Sequence, residues 1–390
     1  MTDPLTSSHE MPNPTLEVRS ASWLTPRRRA AVVVTLIYVF LVGVSSLETG
    51  IKILGADTQE RLFSSVSNPI AGLFVGILAT VLVQSSSAST SIIVGLVASG
   101  AVSLDAAVPM IMGANIGTTV TNTLVSLGHV RQTGEFTRAF AAATMHDFFN
   151  LLAVAILLPV ELLTGALSTA ATWVSDLLVG SSGAEWESPV KALVAWPVDR
   201  LRDLGDAVGL STTALGPLLI TFGLAIILTS LTFITKNMRR LVAHRVERSL
   251  NAMLGRGGGL VAMTLGMIVT MSVQSSSITT AILVPLAASG VLSLRNAYPV
   301  TLGANVGTTI TALLAALAAS RPEALTIALV HTIFNVTAIA VIYPIRVVRE
   351  VPIRAAELLA GVAASRPSLA IGYVLGVFIV VPIVGIVLLR

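Results

Sequence analysis

The sequence predicts an all-α integral membrane protein with two inverted-topology repeats, each containing a re-entrant helical hairpin with QSSS at its tip. The first reason is composition: 54% of the 390 residues are hydrophobic and 11% are charged, whereas soluble domains carry about 25% charged residues. The second is an internal repeat, since residues 84–123 and 274–313 share 22 identities over 40 positions. The third is QSSS itself, which interrupts an apolar segment in each repeat.

The repeat continues beyond these segments after a shift in register. The offset is first 190 residues and then 185, so that His146 and Asn150 match His331 and Asn335. A loop that is five residues shorter in the second repeat explains the shift. Because polar residues match in register, a shared apolar composition does not account for the similarity.

Seven apolar segments are predicted to be spanning helices, since about 20 residues cross ~30 Å of hydrocarbon. They lie near 30–47, 106–128, 138–160, 212–235, 296–318, 324–345 and 369–389. Two further segments, 161–180 and 346–366, carry scattered charges. We predict that these two are amphipathic helices at the membrane surface.

The segments 66–100 and 258–290 are predicted to be the re-entrant hairpins. Each has apolar arms of about 16 and about 13 residues on either side of QSSS, and neither arm comfortably crosses ~30 Å at 1.5 Å per residue. Ser and Thr runs also compete for the backbone hydrogen bonds of a helix. One long kinked helix of ~35 residues is the alternative, but it would be about 50 Å long.

The distribution of Lys and Arg places the N-terminus in the cytoplasm. Three arginines precede the first apolar run, the loop 236–256 has six basic residues against one acid, and the loop 181–209 is acidic. With hairpins counted as non-crossing, each repeat crosses the membrane three times, so the repeats have opposite orientations. Secondary transporters have this construction and bind substrate between the repeats. We therefore expect a multi-pass protein of the cytoplasmic (inner) membrane.

The predicted division of the chain follows from the same count. It consists of a disordered cytoplasmic tail (1–28), the first transmembrane helix and first repeat core (29–180), an outer loop (181–210), a spanning helix that closes repeat one (211–235), a basic cytoplasmic loop (236–256) and the second repeat (257–390).

The two hairpin tips are the candidate substrate site. Irregular backbone persists at membrane depth only where protein or water satisfies its polar groups, and tips entering from opposite faces would meet near the midplane. Their hydroxyls, amides and free helix N-termini suit a small anion. The candidate substrate-binding residues are Gln84, Ser85, Ser86, Ser87, Gln274, Ser275, Ser276 and Ser277.

The segment after each hairpin, with the pattern GANxGTTxT, supplies oxygen ligands that suit a hard cation. No Lys or Arg lies between Arg61 and Arg131, so an anion bound in this region would need Na⁺ to offset its charge. The candidate sodium-binding residues are Asp147, Asn115, Thr118, Thr121, Asn150, Gln274, Ser275, Asn305, Thr308, Thr311 and Asn335. We expect no cofactor besides Na⁺ as coupling ion and no transition metal.

Asp147 is an acid inside a predicted spanning helix, and the second repeat has Thr332 at this position. Such an acid costs about 2.5–3.5 kcal/mol on insertion scales and usually has a function. The alternative is a structural pair with His146 or Arg138. For His146 and its counterpart His331, we favour helix-packing hydrogen bonds over a proton relay.

Both QSSS sequences, both Gly-Ala-Asn-x-Gly-Thr-Thr segments and the stretch from Arg138 to Asn150 resemble the type II sodium-dependent phosphate cotransporters. The resemblance covers about residues 30–390. It implies coupled uptake of inorganic phosphate with Na⁺, and it implies that the tips hold both. The outer loop 181–209 departs from animal members, because it is short and has no cysteine.

The resemblance also assigns roles to individual residues. It implies that Gln274, Ser275, Thr308 and Thr311 help form one sodium site and that Asp147 helps form another. Electrogenic members of the family have Asp at this last position, whereas electroneutral members have Gly. We therefore expect electrogenic transport.

Other classes of protein fit less well. An anion channel, or a Na⁺-coupled transporter of another small oxyanion, is the nearest alternative. An intramembrane serine hydrolase would need a serine nucleophile with His146 or His331 as base, but the sequence has no GxSxG. We thus expect no enzyme. The expected partners are phosphate, Na⁺ and the lipid bilayer, without nucleic acid, because no basic run contains interleaved aromatics. The sequence does not predict an oligomeric state.

Overall fold

The structure, a computed structural model, describes residues 25–55, 68–179, 190–256 and 258–389. All regular secondary structure in these ranges is helical, which confirms the predicted all-α class. The helices are α1 (Pro26–Ile53), α2 (Pro69–Val83), α3 (Ser86–Ser99), α4 (Leu104–Gly117), α5 (Val120–Ser126), α6 (Thr133–Thr164), α7 (Ala166–Val179), α8 (Lys191–Ala207), α9 (Thr212–Arg256), α10 (Gly259–Val273), α11 (Ser276–Ala288), α12 (Leu294–Ala316), α13 (Pro322–Ile342), α14 (Arg346–Ser365), α15 (Pro367–Leu375) and α16 (Val381–Leu389).

Six helical segments of the described chain are long and apolar enough to cross a membrane. They are Pro26–Ile53, Thr133–Thr164, Thr212–Leu241, Leu294–Ala316, Pro322–Ile342 and Ser368–Leu389. The last of these combines α15, a π-helical turn at Gly376–Val380 and α16. These six correspond to six of the seven spanning segments predicted from hydropathy.

The seventh prediction, a helix near 106–128, is met by two helices with a break at Thr118 and Thr119, both of which keep right-handed helical backbone angles. Thr118 and Thr119 each donate a hydroxyl hydrogen bond to a carbonyl of the preceding turn, at 2.9 and 2.8 Å. The matching Thr308 and Thr309 do the same at 3.0 and 2.8 Å, yet α12 is continuous. Competing hydroxyls therefore do not explain the break by themselves.

Two segments predicted as loops contain helix. The basic segment 236–256 continues α9 to Arg256, since residues 224–254 include no Gly or Pro to end the helix. In the predicted outer loop, α8 packs on α1, and Tyr38 of α1 donates a hydrogen bond to the Leu193 carbonyl at 3.0 Å. Most of the predicted tail lies outside the described residues, but α1 already begins at Pro26.

The two QSSS segments each join a pair of short helices. The arms α2 and α3 have 15 and 14 residues, and α10 and α11 have 15 and 13. The first arm in each pair ends at the residue before Gln84 or Gln274. The predicted interruption of both apolar segments is confirmed.

Close helix contacts position the first arm of each pair, α2 and α10, in the same way. Helix α2 packs against α4, and α10 packs against α12. A Cβ at Gly113 would overlap the carbonyl oxygen of Leu73, and one at the matching Gly303 would overlap that of Met263. The backbones therefore touch at equivalent glycines in both halves, and each tip lies beside the GTTxT segment of its own half.

Helices of the first and second repeats also pack against each other across the core. Helix α6 of the first half packs against α14 of the second, and α13 of the second packs against α7 of the first. Helices α1 and α9 form a long pair beside them. This arrangement brings the ends of α2 and α10 to one region of the protein.

Candidate functional site

Gln84 and Gln274 form matching left-handed turns at the two tips. Their φ and ψ angles are 56° and 27°, and 57° and 29°. Among the described residues they are the only non-glycine residues with positive φ, a conformation that costs an ordinary L-residue about 1–2 kcal/mol. Backbone strain held by the surrounding structure is typical of functional sites.

The residue after each glutamine caps the second arm. Ser85 Oγ accepts a hydrogen bond from the Ala88 amide at 3.2 Å, and Ser275 Oγ accepts one from the Ile278 amide at 3.4 Å. Both serines have extended backbones. Each cap satisfies one of the free N–H groups of a helix start and leaves others available to a ligand.

The glutamine side chains are held in the same way in both halves. Gln84 Nε2 donates to the Val81 carbonyl at 2.6 Å, and Gln274 Nε2 donates to the Met271 carbonyl at 2.7 Å. Thr121 donates its hydroxyl to Gln84 Oε1 at 3.1 Å. The matching bond from Thr311 to Gln274 Oε1 is 2.8 Å long. Each tip is thus joined to the GTTxT segment of its own half.

The tips also contact the opposite half. Ser87 donates to the Gln274 carbonyl at 3.4 Å, and its Oγ lies 3.3 Å from Thr311 Oγ1. Ser277 donates to the Thr118 carbonyl, also at 3.4 Å. The break between α4 and α5 lies at this carbonyl. The structure therefore brings the two predicted tips together.

A cavity of about 590 Å³ lies between the tips. Seven of the eight predicted tip residues line it, and the exception is Ser276, which is buried. Thr121 also lines the cavity. Helix α9 contributes Thr232 and Thr235, which the sequence analysis did not identify. No lining residue is charged.

The predicted asparagines lie in a separate buried network that crosses the two halves. Asn305 Oδ1 lies 2.5 Å from His146 Nε2, and Asn305 Nδ2 donates to Asn150 Oδ1 at 2.7 Å. Asn115 Oδ1 lies 3.4 Å from His331 Nε2. Both histidines therefore take part in helix-packing hydrogen bonds, as favoured from the sequence.

Asn335, the fourth predicted asparagine, is hydrogen-bonded within its own helix. Its Nδ2 donates to the His331 carbonyl at 2.9 Å, and its Oδ1 is buried with no hydrogen-bond partner among the described residues. Of the four predicted asparagines, it is the one whose amide oxygen is without such a partner.

Asp147 is fully buried, and its carboxylate contacts hydroxyls. Asp147 Oδ2 accepts hydrogen bonds from Tyr373 at 3.0 Å and from Thr123 at 3.4 Å. Within the described residues, Asp147 Oδ1 has no hydrogen-bond partner. The alternative pairings are not formed, because His146 contacts Asn305 and Arg138 donates to the Ala288 carbonyl.

Tyr373 and Thr123 were missed in the sequence analysis. Thr123 lies two residues beyond the GTTxT segment, and Tyr373 is a single aromatic hydroxyl in the last spanning segment. A buried tyrosine hydroxyl usually has a polar partner, and this was the available signal. The carboxylate, its hydroxyl neighbours and its unpaired oxygen together have the chemistry of a site for a hard cation.

Comparisons with known proteins place this chain in a family. Residues 39–177 and 226–363, each including one QSSS segment, match the model of the Na+/Pi-cotransporter family. The chain is 32% identical to sodium-dependent phosphate transport protein 2A of Rattus norvegicus, over 96% of this chain and 69% of the rat protein. No solved structure is significantly similar.

Two further relatives have similar names. Sodium-dependent phosphate transport protein 2A of Ovis aries is 34% identical over 91% of this chain and 66% of its own length. Sodium-dependent phosphate transport protein 2B of Homo sapiens is 31% identical over 91% of this chain and 64% of its own length. With the family model matched in both halves, these similarities confirm the resemblance seen in the motifs: the chain belongs to the Na+/Pi-cotransporter family.

Proposed function

We propose that this protein couples the inward movement of Na⁺ to the uptake of inorganic phosphate across the cytoplasmic membrane. One observation carries the proposal: two matched QSSS tips line a single cavity with hydroxyls, amides and helix N-termini but no charged side chain. Such groups suit an anion, and the anion's charge would be offset by cations bound with it. The names of the relatives support the same substrate and the same ion.

In this proposal, the tip residues hold phosphate and the neighbouring threonines hold Na⁺. A hydroxyl that donates its hydrogen to a carbonyl keeps lone pairs free for a cation. Thr308 and Thr118 have this arrangement, at 3.0 and 2.9 Å. One sodium site would be formed by Thr308 together with Gln274, Ser275 and Thr311. Asp147 would form another, and the partly satisfied amides of the asparagine network would support it.

The proposed topology is two inverted repeats with re-entrant hairpins and a cytoplasmic N-terminus. Arms of 13–15 residues are about 20–23 Å long at 1.5 Å per residue, which is too short for ~30 Å of hydrocarbon. The positive-inside rule sets the orientation. On this basis we retain the division into 29–180, 181–210, 211–235, 236–256 and 257–390, with the basic segment helical instead of a loop.

Uptake of radiolabelled phosphate into proteoliposomes tests the proposal. An imposed Na⁺ gradient should drive accumulation above the outside concentration, whereas gradients of K⁺ or choline should not. Equal uptake with all three cations would exclude sodium coupling. Uptake that stops at equilibration despite the gradient would indicate a channel. Stronger inhibition of this uptake by sulfate than by an equal concentration of unlabelled phosphate would identify a transporter of another oxyanion.

A further inference from the structure

A second polar cavity lies at the start of α12 and α14 and shares no residue with the cavity between the tips. Its volume is about 350 Å³, and it is lined by Arg295, Arg346, Val347, Glu350 and Arg354. Three guanidinium groups thus face one carboxylate. From the sequence, Arg346, Glu350 and Arg354 are charges of the predicted amphipathic segment 346–366, and Arg295 lies outside that segment.

Glu350, the one carboxylate that lines the cavity, already forms an ion pair with Arg295. Arg295 Nε donates to Glu350 Oε1 at 3.1 Å, and Arg295 Nη2 donates to Glu350 Oε2 at 2.8 Å. This double hydrogen bond holds the pKa of the Glu350 carboxyl below its usual value. Within the described residues, neither Arg346 nor Arg354 forms an ion pair within 4.0 Å. Two guanidinium groups of the cavity therefore have no carboxylate of the described chain within 4.0 Å, although Glu350 and Glu357 lie near the cluster and act on it electrostatically.

Helix α14 presents three faces at 100° per residue. One face packs on the protein, with Pro352, Ala356 and Ala360 buried. The opposite side is an exposed apolar stripe formed by Val347, Val351, Leu358 and Val362. The stripe of Arg346, Glu350 and Arg354 adjoins the apolar stripe. A helix with this pattern lies in the membrane interface, with its apolar stripe in the hydrocarbon and its arginines at headgroup level.

At the matching positions, the first repeat has no equivalent cluster. Asp105 stands at the position that matches Arg295, and α7, at the position in its repeat that corresponds to α14, contains no Lys or Arg. Because only the second repeat has these arginines, they are not part of the symmetry that relates the two QSSS tips. They belong to one membrane face, which the positive-inside rule assigns to the cytoplasm.

We propose that Arg346 and Arg354 bind the phosphate headgroup of an anionic phospholipid at this face. Guanidinium groups suit phosphate geometry, and basic pockets on the cytoplasmic side of membrane proteins bind anionic headgroups. The adjoining apolar stripe would accommodate the acyl chains, which favours a lipid over free phosphate as the ligand. Arg295 is held by Glu350 and positions α14 beside α12.

Native mass spectrometry of the purified full chain with added phosphatidylglycerol tests this proposal. The unmodified protein should bind phosphatidylglycerol at one saturable site and bind phosphatidylcholine weakly. Replacing both arginines, Arg346→Gln with Arg354→Gln, should weaken binding by roughly tenfold or more. The double change Arg346→Lys with Arg354→Lys keeps the charges but loses the guanidinium donor pairs, so its binding should lie between that of the unmodified protein and that of the glutamine variant.

The matched control is Arg239→Gln with Arg240→Gln, which removes two charges expected on the same face but outside the cavity. It should bind like the unmodified protein. Unchanged binding in the glutamine variant, or equal binding of phosphatidylcholine, would overturn the proposal. Displacement of the lipid by millimolar inorganic phosphate would also overturn it and indicate a second site for free phosphate. No sodium gradient is involved, so failure here leaves the proposed transport function unaffected.

Discussion

At the scale of single residues, the tips combine backbone strain with side-chain chemistry. Glycine would adopt the left-handed conformation of Gln84 and Gln274 without the cost of a Cβ. Each glutamine instead uses its amide twice, donating to its own helix and accepting from Thr121 or Thr311. The side chain therefore fixes the tip against the next helix in a way that glycine would not.

Replacing a tip serine should impair transport beyond its effect on stability. Ser85→Ala and Ser275→Ala each remove a helix cap worth about 1 kcal/mol and a hydroxyl in the tip cavity. Ser103→Ala is the matched control, because Ser103 caps α4 at 3.3 Å and lies outside this cavity. We expect similar losses of thermal stability in all three variants, but reduced sodium-dependent uptake only at the tips. Normal uptake in correctly inserted tip variants would show that QSSS serves packing alone.

Removing the buried carboxylate should change the charge carried per transport cycle. With divalent phosphate, three Na⁺ ions carry one net positive charge inward and two carry none, so Asp147→Gly should leave electroneutral uptake. The unmodified protein should respond to an inside-negative potential, since one charge gains about 2.3 kcal/mol per 100 mV. The measurement is uptake into proteoliposomes whose membrane potential is clamped with valinomycin, once at an inside-negative value and once at zero. If the unmodified protein takes up phosphate equally at both potentials, Asp147 does not bind an additional Na⁺.

At the scale of helices, short arms reach the site because glycine lets their backbones touch. The same pairs recur in both halves, with Gly113 against Leu73 and Gly303 against Met263. Close packing of small residues is a main source of stability between membrane helices, where lipid competes equally for apolar contacts. Side chains at these positions would displace an arm and its tip.

A methyl group at these contacts should therefore destabilise the protein. We expect Gly113→Ala or Gly303→Ala to cost about 1–3 kcal/mol from overpacking, because the new Cβ would overlap a carbonyl oxygen of the facing helix. Gly361→Ala in α14 is the control, since its Cβ would meet nothing within 4 Å and alanine favours helix by up to about 1 kcal/mol. Thermal unfolding in detergent should show a lower midpoint only for the first two. Equal midpoints for all three would mean that the helices can move apart at Gly113 and Gly303 with little loss of stability.

At the scale of the whole molecule, polar contacts join the two halves. His146 contacts Asn305 and His331 contacts Asn115, so the same pairing occurs twice with the halves exchanged. Lys52 on α1 also donates to Ser320 of the second half at 2.7 Å. Exchanged contacts of this kind are the expected result of two related halves packed about a pseudo-twofold axis.

Single-cysteine labelling tests whether the halves are inverted, and the chain has no cysteine of its own. Arg131 and Arg321 are exposed residues in the corresponding loops before α6 and α13. Inverted repeats place these loops on opposite sides of the membrane. In intact cells, a membrane-impermeant maleimide should label Arg321→Cys and leave Arg131→Cys unlabelled until the membrane is opened. Labelling of both from one side would contradict the inverted topology.

The sequence by itself determined the features that depend on composition and local pattern. Apolar content predicted a helical membrane protein, and matched polar residues predicted two repeats with QSSS at their tips. Spanning segments and tips could be predicted because hydropathy and repeat register are properties of neighbouring residues along the chain. Loop boundaries were less accurate: the helix in 236–256 was missed because its charge pattern suggested a loop although its residues favour helix.

Only the tertiary structure decided which polar groups meet. Asp147 accepts a hydrogen bond from Tyr373, 226 residues away, and His146 contacts Asn305, 159 residues away. The wall that α9 adds to the tip cavity through Thr232 and Thr235 likewise depends on how distant helices pack. No local pattern specifies such pairs, because they follow from the backbone approach that glycine contacts allow and from the demand that each buried polar group find a partner.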